Sequence, residues 1–299
     1  MTAPNEDTDP VEIALLPSLE LVARTLVRGL LQGQHFGRDA GSSAEFLAYR
    51  AYSQGDEIRR VDWRTFARTD RFYVKDYQQE TNLRATLVVD VSGSMAYKST
   101  QVSKYRYACC IAAALGYLLM RQQDSVALAL VDSSLRRFVP PKGTPQHLSV
   151  LLRLLESTRP DNETGLAQAL RTVGRRADAR SLIIVLSDFL DDPREVIASL
   201  SRLAQRGADV IACHVLDPAE RSFPFDNWTR FRDSEDATVD LRVDARQLKQ
   251  VYRENLERHL RILEDGCRGA AIDYLPFSTD MPFRRSLAAY LEARSRRRR

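Results

Sequence analysis

Asp90, Ser92 and Ser94 fall on alternate positions directly after the apolar run Ala85–Val89. In extended backbone, residues two apart point the same way, so one carboxylate and two hydroxyls can converge on one point. Gly93, between the two serines, allows the backbone to turn tightly there. Convergent hard oxygens suit Mg²⁺ or a similar small cation. Two further oxygen donors come from distant sequence. Asp188 lies just past the apolar run Leu182–Leu186, and Thr164 just before a helical pattern over Gly165–Arg175. Two carboxylates and three hydroxyls from three separate loops can therefore meet around one ion, provided the fold brings those loops to one edge.

The elements needed for this are readable in the pattern. From Leu83 onward, strand-like runs at Ala85–Val89, Val126–Val131, Leu182–Leu186, Val210–Val215 and Ala271–Leu275 alternate with helical patterns. The helices are expected over Lys104–Arg121, Gln146–Glu156, Gly165–Arg175, Pro193–Arg206 and Ala245–Asp265. This alternation predicts an α/β fold with a doubly wound, mostly parallel sheet flanked by helices. Ligands of such sheets collect beyond the carboxyl ends of the strands, where all five oxygen donors are expected. Thr238–Val243 reads as an additional edge strand, and Pro282 opens a last helix towards Arg294. Leu15–Leu31 is periodic and helical, ending near Gly33. Gly41–Glu80, rich in Arg, Asp, Tyr and Phe, reads as an irregular, partly β segment packed on the sheet. The expected division is an N-terminal helical and partly β extension (1–82), a sheet domain (83–294) and a basic tail (295–299).

Each candidate ligand also has a plainer reading. Thr164 fits the N-cap of its helix, Asp188 fits a turn leading into Asp191-Asp192-Pro193, and the two serines fit an ordinary loop. Their joint placement at one edge of the sheet favours the ion.

Composition sets the class. A hydrophobic share of 44% with 28% charged residues belongs to a globular protein able to bury a sizeable core. The longest apolar stretch, Cys109–Met120, is too short to span a bilayer and reads as a buried helix. Met1–Asp9 is acidic and polar, unlike a signal peptide, so a cytoplasmic location is expected. None of Cys109, Cys110, Cys213 and Cys267 forms a C-x-x-C pair, so buried free thiols are expected. The net charge of +4 is concentrated in the tail. Taking away the five arginines at 294 and 296–299 leaves −1. Without stacking aromatics beside it, that tail reads as a solvated helix end and not as a nucleic-acid site.

Asp90-x-Ser92-x-Ser94, Thr164 in Thr-Gly-Leu-Ala-Gln-Ala-Leu and Asp188 in Val-Leu-Ser-Asp together resemble the metal-ion-dependent adhesion site of von Willebrand factor A-type domains. That resemblance implies Mg²⁺ or Mn²⁺ held directly by the serines and the threonine and partly through water by the carboxylates. It also implies an open coordination position for a partner's Glu or Asp. Upstream, Arg50-x-Tyr52-x-x-Gly55-Asp56-x-x-Arg59-x-x-Asp62-Trp63-x-x-x-Ala67-Arg68 resembles the signature of the domain-of-unknown-function 58 family. Its members couple this block to a von Willebrand A-like domain. The resemblance implies a non-enzymatic adaptor working beside a MoxR-type AAA+ ATPase in protein assembly or maturation. The block itself has two physical readings. Its Arg and Asp residues can form bidentate clamps within the fold, or Arg50, Tyr52, Asp56, Arg59, Asp62, Trp63 and Arg68 can face a partner.

Enzyme readings compete less well. Haloacid-dehalogenase-type Mg²⁺ phosphatases also end a first strand with an aspartate, and Asp188-x-x-x-Asp192 superficially resembles their later acidic cluster. They need an acid two residues after that first aspartate, where this chain has Ser92, which cannot protonate a leaving group at neutral pH. No Gly-x-Ser-x-Gly elbow and no phosphate-binding loop ending in Lys-Ser/Thr is present. His214 reads as a hydrogen-bonded core residue within its strand.

Overall fold

Residues 10–33, 46–51, 73–77, 83–232 and 240–297 are described by the computed structural model of the protein. The chain forms two compact units: residues 34–82, and the remainder, 1–33 with 83–299. The helices α1 (Pro10–Ala14) and α2 (Leu19–Gly33) thus belong with the sheet, on the other side of the expected boundary at 82. Hydrogen bonds account for this. The Arg106 guanidinium donates to the carbonyls of Ala14 and Leu16, and Glu156 accepts from the Leu19 amide at 2.6 Å. In the smaller unit, β1 (Phe46–Ala51) pairs antiparallel with β2 (Tyr73–Tyr77), with Arg50 opposite Val74 and an irregularity between Phe46 and Tyr49.

The larger unit is built on a six-stranded sheet. Its strands are β3 (Arg84–Asp90), β4 (Ser125–Val131), β5 (Leu135–Lys142), β6 (Leu182–Ser187), β7 (Asp209–Leu216) and β10 (Asp273–Ser278), in the spatial order β10-β7-β6-β3-β4-β5. All neighbours are parallel except β4 and β5. Both faces of the central strands are apolar. Leu87, Val89, Leu128, Ile184, Leu186 and Ile211 enter one core, while Val88, Ala129, Val185, Val210 and Ala212 enter the other. Such strands are stable only with helices on both sides. The first core is completed by α2, α3 (Lys104–Arg121), α4 (Pro145–Ser157) and α9 (Phe283–Arg297). The second is completed by α5 (Leu166–Arg176), α6 (Pro193–Gln205) and α8 (Ala245–Gly269). A short helix, α7 (Pro218–Ser222), follows β7.

Two expectations change. The antiparallel edge strand β5 is absent from the expected strands and carries Pro140 and Pro141. Proline is tolerated at an edge, where the missing N–H faces no neighbour. Thr238–Val243 does not extend the main sheet. β9 (Asp240–Asp244) pairs instead with β8 (Trp228–Arg232) in a separate two-stranded ribbon. The cysteines are all buried and unpaired, as expected. His214 is buried and accepts or donates at Nδ1 to the Tyr274 hydroxyl at 2.6 Å, and burial drives its pKa down to about 3.

Candidate metal centre

The order of the strands creates the site. From β3 the chain moves to one side to form β4 and β5, then returns across β3 to form β6 and β7 on the other side. The loops leaving β3 and β6 therefore diverge at a topological switch point, and a crevice opens between them. Asp90 ends β3 and Asp188 directly follows β6, so the two carboxylates flank that crevice.

Beyond Asp90 the backbone turns into a single 3₁₀ turn, Gly93–Ala96. Ser92 donates its amide to Asp90 Oδ1 at 2.9 Å, and the Ser92 and Ser94 hydroxyls lie 3.2 Å apart. Both serines and Asp90 are buried. The Ser187 hydroxyl donates to Asp90 Oδ2 at 2.5 Å, fixing the carboxylate from the neighbouring strand. Burial, reinforced by the nearby negative charge of Asp188, lifts the Asp90 carboxyl to about 7. Asp90 thus sits in a site that lacks enough positive charge for it.

Thr164 is not the helix cap that the plainer reading allowed. Gly165 is the N-cap of α5 and has no side chain to contribute. The segment before it is docked on the Asp90 loop: Gly93 donates to the Asn162 carbonyl and Asp161 to the Val91 carbonyl, both at 2.9 Å. Asn162 has a positive φ of 72° and its side chain donates to Asp132 Oδ2 at 3.0 Å. Thr164 thereby arrives at the same edge as the serines, half-buried. On its far side, Asp191 accepts from the Ala167 amide at 3.2 Å. Asp192, half of the pattern that resembled a phosphatase cluster, caps α6 by accepting from the Arg194 amide at 2.8 Å.

Gly165 is needed for space. A Cβ there would lie 2.7 Å from Ser133 Cα and 2.9 Å from Ser133 O, against backbone that cannot rotate away. Its φ of −167° is ordinary extended backbone, so steric contact alone decides. Gly165→Ala is expected to cost about 1–3 kcal/mol, the usual range for overpacking. Urea denaturation checks this, and an unchanged midpoint would show that the Ser133 loop yields freely.

The sequence reading missed Lys104. This first residue of α3 is fully buried, and its Nζ donates to Asp188 Oδ2 at 2.7 Å and to Glu220 Oε1 at 2.5 Å. Burial pushes its pKa down, but Asp188 and Glu220 more than offset that and hold it above the ordinary lysine value. Glu220 is itself pushed upward by burial. The signal was a lysine in the first turn of a helix, where cations are disfavoured. Asp132 was missed as well, although it ends an apolar strand run just as Asp90 does.

The donor set fits a hard divalent cation. It offers one carboxylate with unmet negative charge, a second carboxylate beside it and a facing pair of hydroxyls. Of the residues proposed for partner binding, Arg50 lies in β1, and Tyr52, Asp56, Arg59, Asp62, Trp63 and Arg68 lie outside the described residues.

Comparison with known proteins finds relatives in sequence and in fold. An uncharacterized protein of Mycobacterium tuberculosis, Rv1480, is 29% identical over 96% of this chain and 91% of its own length. An aerotolerance-related membrane protein from Bacteroides fragilis has a similar fold, with 15% identity, a TM-score of 0.50, and coverage of 71% of this chain and 99% of that one. The SpRpn10 VWA domain matches 69% of this chain and 94% of its own with 7% identity and a TM-score of 0.44. The layered, mostly parallel six-stranded sheet has the fold of the Bacteroides fragilis protein. No described helix is long and apolar enough to cross a membrane. With its model matching residues 48–261, most of the sequence, the chain belongs to the family described as Protein of unknown function DUF58.

Proposed function

We propose that this protein is a non-enzymatic, divalent-metal-dependent protein–protein interaction module. It acts in the cytoplasm as an adaptor beside a MoxR-type AAA+ ATPase in protein assembly or maturation. One observation carries the reading. Asp90, Ser92 and Ser94 are gathered at the switch point of the sheet with Asp188 close enough to raise the Asp90 carboxyl. Asp90, Ser92, Ser94, Thr164 and Asp188 would hold Mg²⁺ or Mn²⁺. When bound, the ion supplies an electrophilic position for a Glu or Asp of the partner. The chain's own part is to present oxygens: neutral hydroxyls donate weakly, so few charges on the protein side compete with an incoming carboxylate.

The surroundings support binding over turnover. The position a phosphatase would need for its acid is Ser92, whose hydroxyl is engaged with Ser94 at 3.2 Å. Asp192, half of the pattern likened to a phosphatase cluster, is committed to capping a helix.

Removing both serine hydroxyls tests the reading at two levels. Ser92→Ala combined with Ser94→Ala is expected to abolish the calorimetric heat of Mg²⁺ or Mn²⁺ binding and to reduce co-purification of the ATPase. Equal heats in wild type and double variant would refute the metal latch. Undiminished ATPase recovery would move the partner contact to another surface, with the Arg50–Arg68 block the first to examine.

A further inference from the structure

Lys104 is placed against two physical preferences. It opens an 18-residue helix, where its charge faces the positive end of the helix dipole. It is also fully buried, where an ammonium is tolerated only with partners. Those partners are Asp188 at 2.7 Å and Glu220 at 2.5 Å, with the Tyr97 ring 5.8 Å away. Glu220 is itself fixed. Its other oxygen accepts from the Asp217 amide at 2.8 Å in the capping box of α7, and Asp217 accepts from the amide of Ser99 in the loop after β3 at 2.8 Å and from its hydroxyl. One ammonium therefore ties together the loops that follow β3, β6 and β7.

We infer that Lys104 is a resident counter-cation: it holds these acidic loops together by itself and sets the affinity for a divalent ion by competing with it for Asp188. The inference rests on the metal-latch reading above. Asp188 cannot serve two cations fully. What a divalent ion gains at Asp188 depends on how much of the lysine charge Glu220 draws away. Glu220 is thus the second positioning residue, although it lies in α7, outside the five-residue motif.

Two substitutions should consequently move affinity in opposite directions. Lys104→Met frees Asp188 and removes a repelling charge, so Mn²⁺ is expected to bind about tenfold tighter or more. Glu220→Gln leaves the ammonium to Asp188 alone, so Mn²⁺ should bind at least about threefold weaker. Loss of packing alone would weaken binding in both. Mn²⁺ titration of the full chain by calorimetry near neutral pH reads this, with circular dichroism confirming the fold. Thermal melts add an independent signature. Between chelator and one fixed excess of Mn²⁺ the wild type should gain less in melting temperature than Lys104→Met, which should be destabilised in chelator and rescued by Mn²⁺. Wild-type affinity in both variants would overturn the inference and leave the metal latch standing. Should Lys104→Met fail to fold even with Mn²⁺, Glu220→Gln decides, and unchanged affinity there overturns the proposal. Absence of Mn²⁺ heat in all three proteins would remove the metal latch and this inference with it.

Discussion

Asp90→Asn is expected to abolish divalent-ion binding while leaving the protein as stable as the wild type, or more so, above neutral pH. The direction follows from the raised carboxyl. Its pKa in the fold is about 7, against 3.8 for the exposed group, so the folded state holds the proton where the unfolded chain has released it. Stability therefore falls as pH rises between about 4 and 7, and above that window the charged form of Asp90 is a standing cost. Asparagine removes the charge and keeps the geometry. Its carbonyl can accept from the Ser92 amide, and its amide can donate to the Ser187 hydroxyl oxygen. In chelator above pH 7 the variant should gain on the order of 2 kcal/mol. Below pH 4 the two proteins should converge. Outer-shell changes at metal sites commonly cost 10–100-fold in affinity, so loss of a ligating carboxylate should cost at least about 100-fold. Urea denaturation at several pH values, with Mn²⁺ calorimetry alongside, checks both halves. A variant less stable than wild type at pH 8 in chelator would show that the Asp90 charge is already compensated within the fold.

Asp188→Ala is expected to do the reverse to stability. Asp188 is the fully buried partner of Lys104 on the sheet side, at 2.7 Å, and its Oδ1 also accepts from the Leu190 amide at 3.3 Å. Its removal leaves a buried ammonium with Glu220 alone. Breaking a buried ion pair by deleting one partner typically costs 3–5 kcal/mol. Because Glu220 remains, the low end, about 3 kcal/mol, is expected. For a unit of this size that lowers the melting temperature by roughly 6–12 °C. Differential scanning calorimetry of the two single variants should therefore show the two acids of one site shifting stability in opposite directions. A melting temperature within a degree or two of wild type for Asp188→Ala would mean that Lys104 finds Glu220 sufficient.

The fold was largely written in one-dimensional pattern. Strands buried on both faces appear as unbroken apolar runs, and β3, β4, β6 and β7 lie within a residue or so of where those runs predict them. α3 runs from Lys104 to Arg121, the limits its periodicity suggests, because Ser103 caps it and its apolar face is continuous. β5 and the β8–β9 ribbon were less readable. Their pairing depends on which strand edge is open, and that is a property of the assembled sheet.

The candidate site divides along the same line. Side-chain chemistry and local spacing nominate Asp90, Ser92 and Ser94 as convergent oxygens at a strand tip, while Thr164 and Asp188 enter through their expected place at the same edge of the sheet. Local sequence holds no information about charge balance, which depends on what the fold packs alongside. Lys104 comes to Asp188 from 84 residues away and Ser187 to Asp90 from 97. Only burial among these neighbours makes one aspartate reluctant to ionise and gives the other an ammonium partner. Electrostatic energy is set by distance and solvent exposure, and neither exists until the chain has folded.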